Sequence, residues 1–384
     1  MKRIRLAVSA IVLATLAACG GGGDGNQAPA IQYSQMVVFG DSLSDVGTYG
    51  GGAGTASAYG VGLSGGGKYN INGPAGKNWT ELVAAQLALA APCAAVTGLT
   101  PPTTGTASGN PAAYYASPIT EHLECYNYAQ GGARVTDSIG PGNALTGCDL
   151  SDSNNQGGCL GQLTEPVVDQ IQRHLRKVGT FSGNELVMVL AGANDVFMSL
   201  AAFTPRVTAL IGSGYTQTAA QEVASGEAVT AMTQAATDLV GYIKTQMVAK
   251  GAKRIAVMTV PDISVTPYLV SQGPDAAGLA SLLVRTFNTV LTQGLANTDG
   301  VMIVDAYTAS QEEHSDPAQY GLTNVTTQAC DRNLVATSLL CTNSTLIAGD
   351  TSHYLFADGV HPTPYGYKLF AQLVSVKLVA RGWL

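Results

Sequence analysis

The chain has 384 residues, of which 46% are hydrophobic and only 12% are charged. This composition excludes an intrinsically disordered chain and suffices for one large domain or two small ones. The formal net charge is −7, and no basic cluster follows the first five residues, which argues against a nucleic-acid partner.

The first 18 residues have the pattern of an export signal rather than of a folded segment. Lys2, Arg3 and Arg5 form a basic region, and residues 6–18 form an apolar stretch. The Leu-Ala-Ala sequence before Cys19 resembles the bacterial lipoprotein signal, in which this cysteine becomes lipidated. The alternative is an ordinary export signal with an incidental cysteine.

A glycine-rich segment follows this cysteine and is typical of a flexible tether. We predict a signal peptide over residues 1–18, a lipidated Cys19 and tether over residues 19–33, and one domain over residues 34–384. Beyond Gly20 no stretch is apolar for long enough to span a bilayer, so membrane attachment would depend on Cys19. By resemblance to proteobacterial lipoproteins, Gly20 favours localisation of the protein at the outer membrane. The alternative is that the protein is periplasmic or secreted.

Short apolar runs alternate with helical patterns through the predicted domain. The runs predict strands at residues 36–39, 125–129, 185–190, 254–260 and 301–304. Helical periodicity predicts helices near residues 79–87, 163–175, 219–250, 276–295 and 364–380. Strands separated by helices favour parallel pairing with helices on both faces. We therefore predict an α/β fold with a doubly wound, mostly parallel five-stranded sheet.

The first predicted strand ends in a turn that carries a serine. The apolar run is followed by Gly40, Asp41 and Ser42, which would lift the serine Oγ out of the edge of the sheet. Hydrolases place a nucleophile on such a rigid support. A lone Gly-Asp-Ser is more often a helix cap, so the assignment of Ser42 as a nucleophile depends on partners elsewhere in the chain.

An acid and a histidine with suitable spacing stand near the C-terminus. Asp358 and His361 lie on a proline-rich loop before the last predicted helix, where the carboxylate can orient one ring nitrogen while the other faces outward. Asp350 and His353 have the same spacing and are the alternative. The two prolines that fix the later loop favour Asp358 and His361 as the orienting acid and general base.

Further polar groups follow the other predicted strands. Sites in parallel sheets lie beyond the carboxyl ends of the strands. Asn194 follows the third strand, and Gly131 and Gly132 follow the second. A side-chain amide and glycine N–H groups are suitable donors to the oxyanion of a tetrahedral intermediate.

Another serine matches a different hydrolase pattern. Residues 62–66 contain Gly-x-Ser-x-Gly around Ser64. That motif requires a strand before the serine and a helix after it. Since the flanking residues form a glycine-rich loop, we interpret Ser64 as coincidental.

Four sequence blocks together resemble the SGNH/GDSL hydrolase family. They are Gly-Asp-Ser-Leu at 40–43, Gly132, Gly-x-Asn-Asp at 192–195 and Asp-x-x-His at 358–361, in the order typical of the family. The blocks cover nearly the whole predicted domain. The resemblance implies an SGNH hydrolase-like, flavodoxin-like fold.

The resemblance also implies roles for individual residues. Ser42 is the expected nucleophile, His361 the base and Asp358 its orienting carboxylate. The expected oxyanion donors are the N–H groups of Ser42 and Gly132 and the side chain of Asn194. Gly131 remains an alternative to Gly132 because the doubled glycine shifts the alignment by one residue.

These roles imply an esterase or lipase that needs no metal or organic cofactor. We expect a monomer that acts on a small-molecule or lipid ester and attaches to the membrane through Cys19. A lysophospholipase and a glycan O-acetyl esterase remain alternatives on the same residues. A catalytically silent binding lipoprotein of the cell envelope is the alternative from a different functional class.

The remaining cysteines form an even set that is typical of an exported protein with disulfides. Six cysteines allow 15 pairings, and short loops favour pairing in sequence order. No spacing typical of a zinc site occurs among them. The predicted pairs are Cys93 with Cys125, Cys148 with Cys159, and Cys330 with Cys341.

Overall fold

The computed structural model describes residues 31–49, 67–98, 119–143, 160–162 and 164–384. Contacts join Gln32–Leu384 into one compact unit. The predicted signal peptide, Cys19, most of the predicted tether, Ser64 and the pair Cys148 and Cys159 lie outside the described residues.

The described strands form one four-stranded sheet and two small two-stranded sheets. They are β1 (Gln35–Gly40), β2 (Val96–Thr97), β3 (Thr120–Glu121), β4 (Glu185–Leu190), β5 (Ile255–Met258), β6 (Val301–Val304), β7 (Asn324–Gln328) and β8 (Tyr354–Phe356).

Helices connect and cover these strands. They are α1 (Trp79–Gln86), α2 (Val167–Val178), α3 (Ala193–Gly212), α4 (Gln217–Tyr242), α5 (Pro267–Ser271), α6 (Pro274–Leu295), α7 (Ala306–Ser315) and α8 (Pro364–Arg381). A π-helical turn over Ile243–Met247 continues α4. Short 3₁₀ turns occur at Leu160–Gln162, Val248–Lys250, Ile263–Val265, Pro317–Tyr320, Ser338–Leu340 and Asn343–Thr345.

The main sheet has the strand order β1-β4-β5-β6, and its strands run parallel. Every residue of β4 and β5 is buried, as expected for central strands that are covered by helices on both faces. The predicted α/β fold with a parallel sheet is confirmed.

The second predicted strand differs from the expectation. Residues 125–129 lie beside the free edge of β1, where the N–H of Val38 bonds to the Tyr126 carbonyl and the N–H of Tyr128 bonds to the Val38 carbonyl. This edge is where the flavodoxin-like order places a second strand. The pairing is only an isolated bridge, because the N–H of Gly40, which would continue the ladder, donates to the side chain of Gln170 instead. The regular sheet therefore has four strands rather than the predicted five.

The sequence prediction omitted one long helix. No helix was predicted directly after the strand that ends before Gly192, but α3 begins there and continues through Pro205. The other predicted helices are present with boundaries shifted by a few residues. Among the described helices, none is long and apolar enough to cross a bilayer.

Asn194 consequently lies in the first turn of a helix that directly follows β4. The N-terminal ends of helices after parallel strands meet at the carboxyl edge of the sheet, where the turn after β1 also lies. This arrangement brings Ser42 and Asn194 to the same edge.

Candidate active site

Ser42, His361 and Asp358 form a continuous chain of hydrogen bonds. The Ser42 Oγ lies 2.8 Å from the His361 Nε2, and the His361 Nδ1 lies 2.8 Å from Oδ2 and 2.9 Å from Oδ1 of Asp358. When Nδ1 donates its proton to the carboxylate, Nε2 is left as the acceptor for the serine hydroxyl. The geometry is that of a nucleophile, a base and a group that orients the base.

The carboxylate of Asp358 is buried and accepts several further hydrogen bonds. Its Oδ1 accepts the N–H groups of Val360 and His361, and its Oδ2 accepts the N–H of Ser338 at 2.9 Å. Burial alone would raise the pKa of this carboxyl. The adjacent imidazole and the N–H donors outweigh burial and hold the pKa well below its usual range, so the group stays ionised.

The turn that carries Ser42 is fixed at the end of β1. A Cβ atom at Gly40 would lie 2.2 Å from the carbonyl oxygen of Leu190 in β4, so only glycine permits this approach of the two strands. The buried amide of Gln170 in α2 donates to the Gly40 carbonyl and accepts its N–H, each at 2.8 Å. Strand pairing and this side chain therefore hold the turn from two sides.

The backbone N–H groups of the two neighbouring glycines differ in their hydrogen bonding. The N–H of Gly131 donates to the buried carboxylate of Asp45 at 2.9 Å, so this donor is already used. Gly132 has a φ of +78°, a conformation that favours glycine, and its N–H has no protein acceptor in the described part of the chain. The structure thus favours Gly132 over Gly131 as the oxyanion donor.

Asn194 lies against the same loop. Its Nδ2 donates to the carbonyl of Ala133 at 2.8 Å, which uses one of the two amide protons and leaves the second for a ligand. The neighbouring Asp195 accepts the N–H of Val135 at 3.1 Å and the Nε of Arg134 at 2.9 Å. The first turn of α3 therefore holds the loop that follows Gly132.

A cavity of about 690 Å³ opens at these groups. Ser42, Gly132, Asn194 and His361 line it, so the serine hydroxyl and the candidate donors face a common space. Most of the remaining wall is apolar. It includes Leu43, Trp79, Leu160, Phe197, Ile263, Tyr268, Leu355 and Phe370.

Asp41 also lines this cavity but has no role in the hydrogen-bonded chain. Its Oδ1 accepts the N–H of Leu43 at 3.0 Å. Its Oδ2 is buried without a partner among the residues that the structure describes. Burial raises the pKa of this carboxyl to about 7, so a large fraction is neutral near neutral pH.

The alternative pair near the C-terminus has other partners. The Nδ1 of His353 lies 2.6 Å from the carbonyl of Gly321, and its ring stacks on Tyr365 with a centroid distance of 4.2 Å. Asp350 accepts the N–H of Ser352. These contacts favour His361 over His353 as the partner of Ser42.

Two of the predicted disulfides are confirmed. Cys93 is bonded to Cys125, and Cys330 is bonded to Cys341. The second disulfide closes a loop that contains Ser338, the N–H donor to Asp358. The spacing of Cys330 and Cys341 in the sequence did not indicate that the loop between them contacts Asp358.

Other supporting residues were also missed from the sequence. Three further residues contact the site through hydrogen bonds between a side chain and a backbone group, for which the sequence has no motif. They are Asp45, Gln170 and Ser338. The signal for Asp45 was its position two residues after the Gly-Asp-Ser-Leu block, in the turn that carries Ser42.

Comparison with known proteins identifies the family of this chain. Esterase EstA of Pseudomonas aeruginosa is 28% identical over 393 residues, which cover 99% of this chain and 52% of EstA. The anther-specific proline-rich protein APG of Arabidopsis thaliana is 26% identical over 269 residues, which cover 62% of this chain and 47% of APG. The chain thus spans about half the length of these relatives. The family model for GDSL-like lipase/acylhydrolase matches residues 36–374, and the chain belongs to this family.

Proposed function

We propose that this protein is a serine ester hydrolase that acts through an acyl-enzyme. The observation that carries the proposal is the hydrogen-bonded chain from Ser42 through His361 to Asp358 at the wall of an open cavity. Family membership supports the same chemistry, since relatives include proteins named as GDSL esterases/lipases.

The reaction has two halves. In the first, the Ser42 Oγ attacks the ester carbonyl carbon while His361 accepts the hydroxyl proton, and the tetrahedral intermediate then collapses with transfer of that proton to the leaving alcohol. In the second, His361 takes a proton from water, which attacks the acyl carbon, and then returns that proton to the Ser42 Oγ as the acyl–serine bond breaks and the acid leaves. Ionised Asp358 stabilises the imidazolium in both halves.

Hydrogen-bond donors on one side of Ser42 stabilise the negative charge of the intermediate. These are the N–H groups of Ser42 and Gly132 and the free amide proton of Asn194. Such donors act mainly in the transition state, because the bonds strengthen as the carbonyl oxygen gains charge.

The cavity wall favours esters with an apolar acyl chain. A space of about 690 Å³ lined mostly by aliphatic and aromatic side chains is larger than an acetyl group needs. A carboxylic ester of medium chain length or a lysophospholipid fits this lining better than an acetylated glycan.

A panel of esters tests the nucleophile and the acyl preference together. Wild-type protein should hydrolyse 4-nitrophenyl esters of medium chain length faster than the acetate. Ser42→Ala should lose several orders of magnitude in kcat, because the remaining groups supply only binding and oxyanion stabilisation. His361→Ala should be as severe, whereas the matched variant His353→Ala should have nearly wild-type kcat.

Substantial turnover by Ser42→Ala would exclude this serine as the nucleophile. A wild-type protein without activity on any ester, including lysophosphatidylcholine and acetylated xylan, would instead support a silent binding protein. A preference for acetylated xylan over medium-chain esters would overturn the proposed substrate class.

The two described disulfides allow a comparison of activity with stability. Replacing Cys330 and Cys341 by serine should lower kcat roughly tenfold, because the freed loop no longer holds the N–H of Ser338 on Asp358. Replacing Cys93 and Cys125 should leave kcat nearly unchanged. Steady-state kinetics of the folded variants measures this difference.

Thermal stability should follow the opposite order. The loop between Cys93 and Cys125 spans 32 residues and that between Cys330 and Cys341 spans 11. Loss of the constraint on the unfolded chain then costs about 4 and about 3 kcal/mol respectively.

Equal losses of kcat in the two double variants would show that the Cys330–Cys341 loop has no special role in the site.

Disulfides also support an exported protein, since they persist in oxidising compartments. We propose further that export is followed by lipidation of Cys19 and attachment to the outer membrane. The basic region, the short apolar stretch and the Leu-Ala-Ala-Cys sequence support this proposal. Several acyl chains on one residue bury enough methylene groups to hold the protein stably at a membrane.

Metabolic labelling with palmitate in a Gram-negative host tests this attachment. Wild-type protein should be labelled and should sediment with membranes. Cys19→Ser should be unlabelled, and Cys93→Ser should keep the label, although both variants replace one cysteine by serine. Recovery of unlabelled wild-type protein in the soluble fraction would indicate ordinary secretion.

A further inference from the structure

We propose that Tyr69 is a further catalytic residue, whose hydroxyl donates a hydrogen bond to the oxyanion of the tetrahedral intermediate. The proposal rests on the ester hydrolysis proposed above. It concerns a residue outside the four sequence blocks that carried the family resemblance.

The ring of Tyr69 lies between the base and the oxyanion loop. Its centroid is 4.5 Å from the centroid of the His361 ring, with the two planes tilted by 35°. Its other end contacts Gly131, where a Cβ atom would lie 2.3 Å from the tyrosine hydroxyl oxygen. The phenol therefore spans the distance from His361 to the residue that precedes the donor N–H of Gly132.

The segment that carries Tyr69 is held rigidly. The hydroxyl of Tyr367 in α8 donates to the Tyr69 carbonyl at 3.0 Å. Three residues later, the N–H of Asn72 bonds to the carbonyl of Cys341, and its side-chain amide donates to the carbonyl of Ser338 at 3.0 Å. The phenol thus has a fixed position relative to the loop that supports Asp358.

The hydroxyl of Tyr69 is left without a partner. Tyr69 is 9% exposed and lines the cavity with Ser42, and its hydroxyl makes no hydrogen bond to any residue in the described ranges. Because this hydroxyl faces the cavity, water can be its partner in the free enzyme and a substrate can replace that water. This arrangement is expected for a group whose partner is the substrate.

The protonation state of Tyr69 suits a donor. Burial raises the pKa of its hydroxyl well above the usual value, and the carboxylates of Asp45, Asp358 and Asp41 act in the same direction. The phenol therefore keeps its proton at neutral pH. Because Tyr69 lines the same cavity as Ser42, Gly132 and Asn194, this proton is available to a substrate bound there.

Tyr69→Phe tests the hydroxyl while keeping the ring on His361. We expect kcat for a 4-nitrophenyl ester to fall roughly 10- to 100-fold, the range for one hydrogen bond to a charged acceptor, with KM changed less than about twofold. The pH profile of kcat/KM should keep its wild-type shape because the contact with His361 remains. The second-order rate of Ser42 labelling by a fluorophosphonate should fall with kcat, since its phosphoryl oxygen occupies the same donors.

Tyr365→Phe is the matched control. Tyr365 also stacks on a histidine, His353, but its hydroxyl donates to the carbonyl of Tyr320 away from Ser42. This variant should have wild-type kcat and labelling rate, and both variants should retain a cooperative melting transition. The control separates the loss of a tyrosine hydroxyl in general from the loss of the one at the site.

Two results for Tyr69→Phe would overturn the proposal. One is a wild-type kcat, which would leave Tyr69 as a packing residue; the other is an effect confined to KM, which would place the hydroxyl on the ground-state substrate. Either result in an enzyme that still requires Ser42 rejects the role of Tyr69 alone. Full activity of Ser42→Ala would instead reject the proposed function.

Discussion

The close parallel pairing of β1 with β4 is the constraint on which the site depends. Gly40 lies opposite Leu190 at the end of this pairing, and the two chains approach so closely that a side chain at Gly40 would overlap the Leu190 carbonyl. Both strands therefore end at the same level. Ser42 follows one strand and Asn194 lies in the first turn of the helix after the other, so the two residues line the same cavity.

The remaining groups reach this edge through buried polar contacts. Asp45 holds Gly131, Asp195 holds Val135, and the Ser338 N–H holds Asp358. In each contact a buried carboxylate accepts a backbone N–H group. Such contacts are strong because the alternative is an unsatisfied buried group, and they fix the positions of Gly132 and His361 closely enough for catalysis.

Much of this arrangement was predictable from the sequence, and the parts that were not share a physical cause. Ser42, Asp358 and His361 were predictable because the strand-turn pattern and the Asp-x-x-His spacing are local features, and hydrogen bonds join the three side chains in the structure. The prediction of a fifth strand was wrong in part because the N–H of Gly40 donates to the side chain of Gln170 and not to the neighbouring chain, a contact that periodicity does not detect. The proposed role of Tyr69 could not be predicted from the sequence, because the residues that Tyr69 contacts, Gly131 and His361, lie more than 60 residues away along the chain.

The most direct test of the account is to map the residue that reacts with a fluorophosphonate. The account predicts a single stoichiometric adduct on the peptide that contains Ser42, found by tandem mass spectrometry. Labelling should be abolished in His361→Ala, because the serine hydroxyl then lacks its base. An adduct on another residue such as Ser64, or undiminished labelling of His361→Ala, would contradict the assignment of Ser42 and His361 as nucleophile and base.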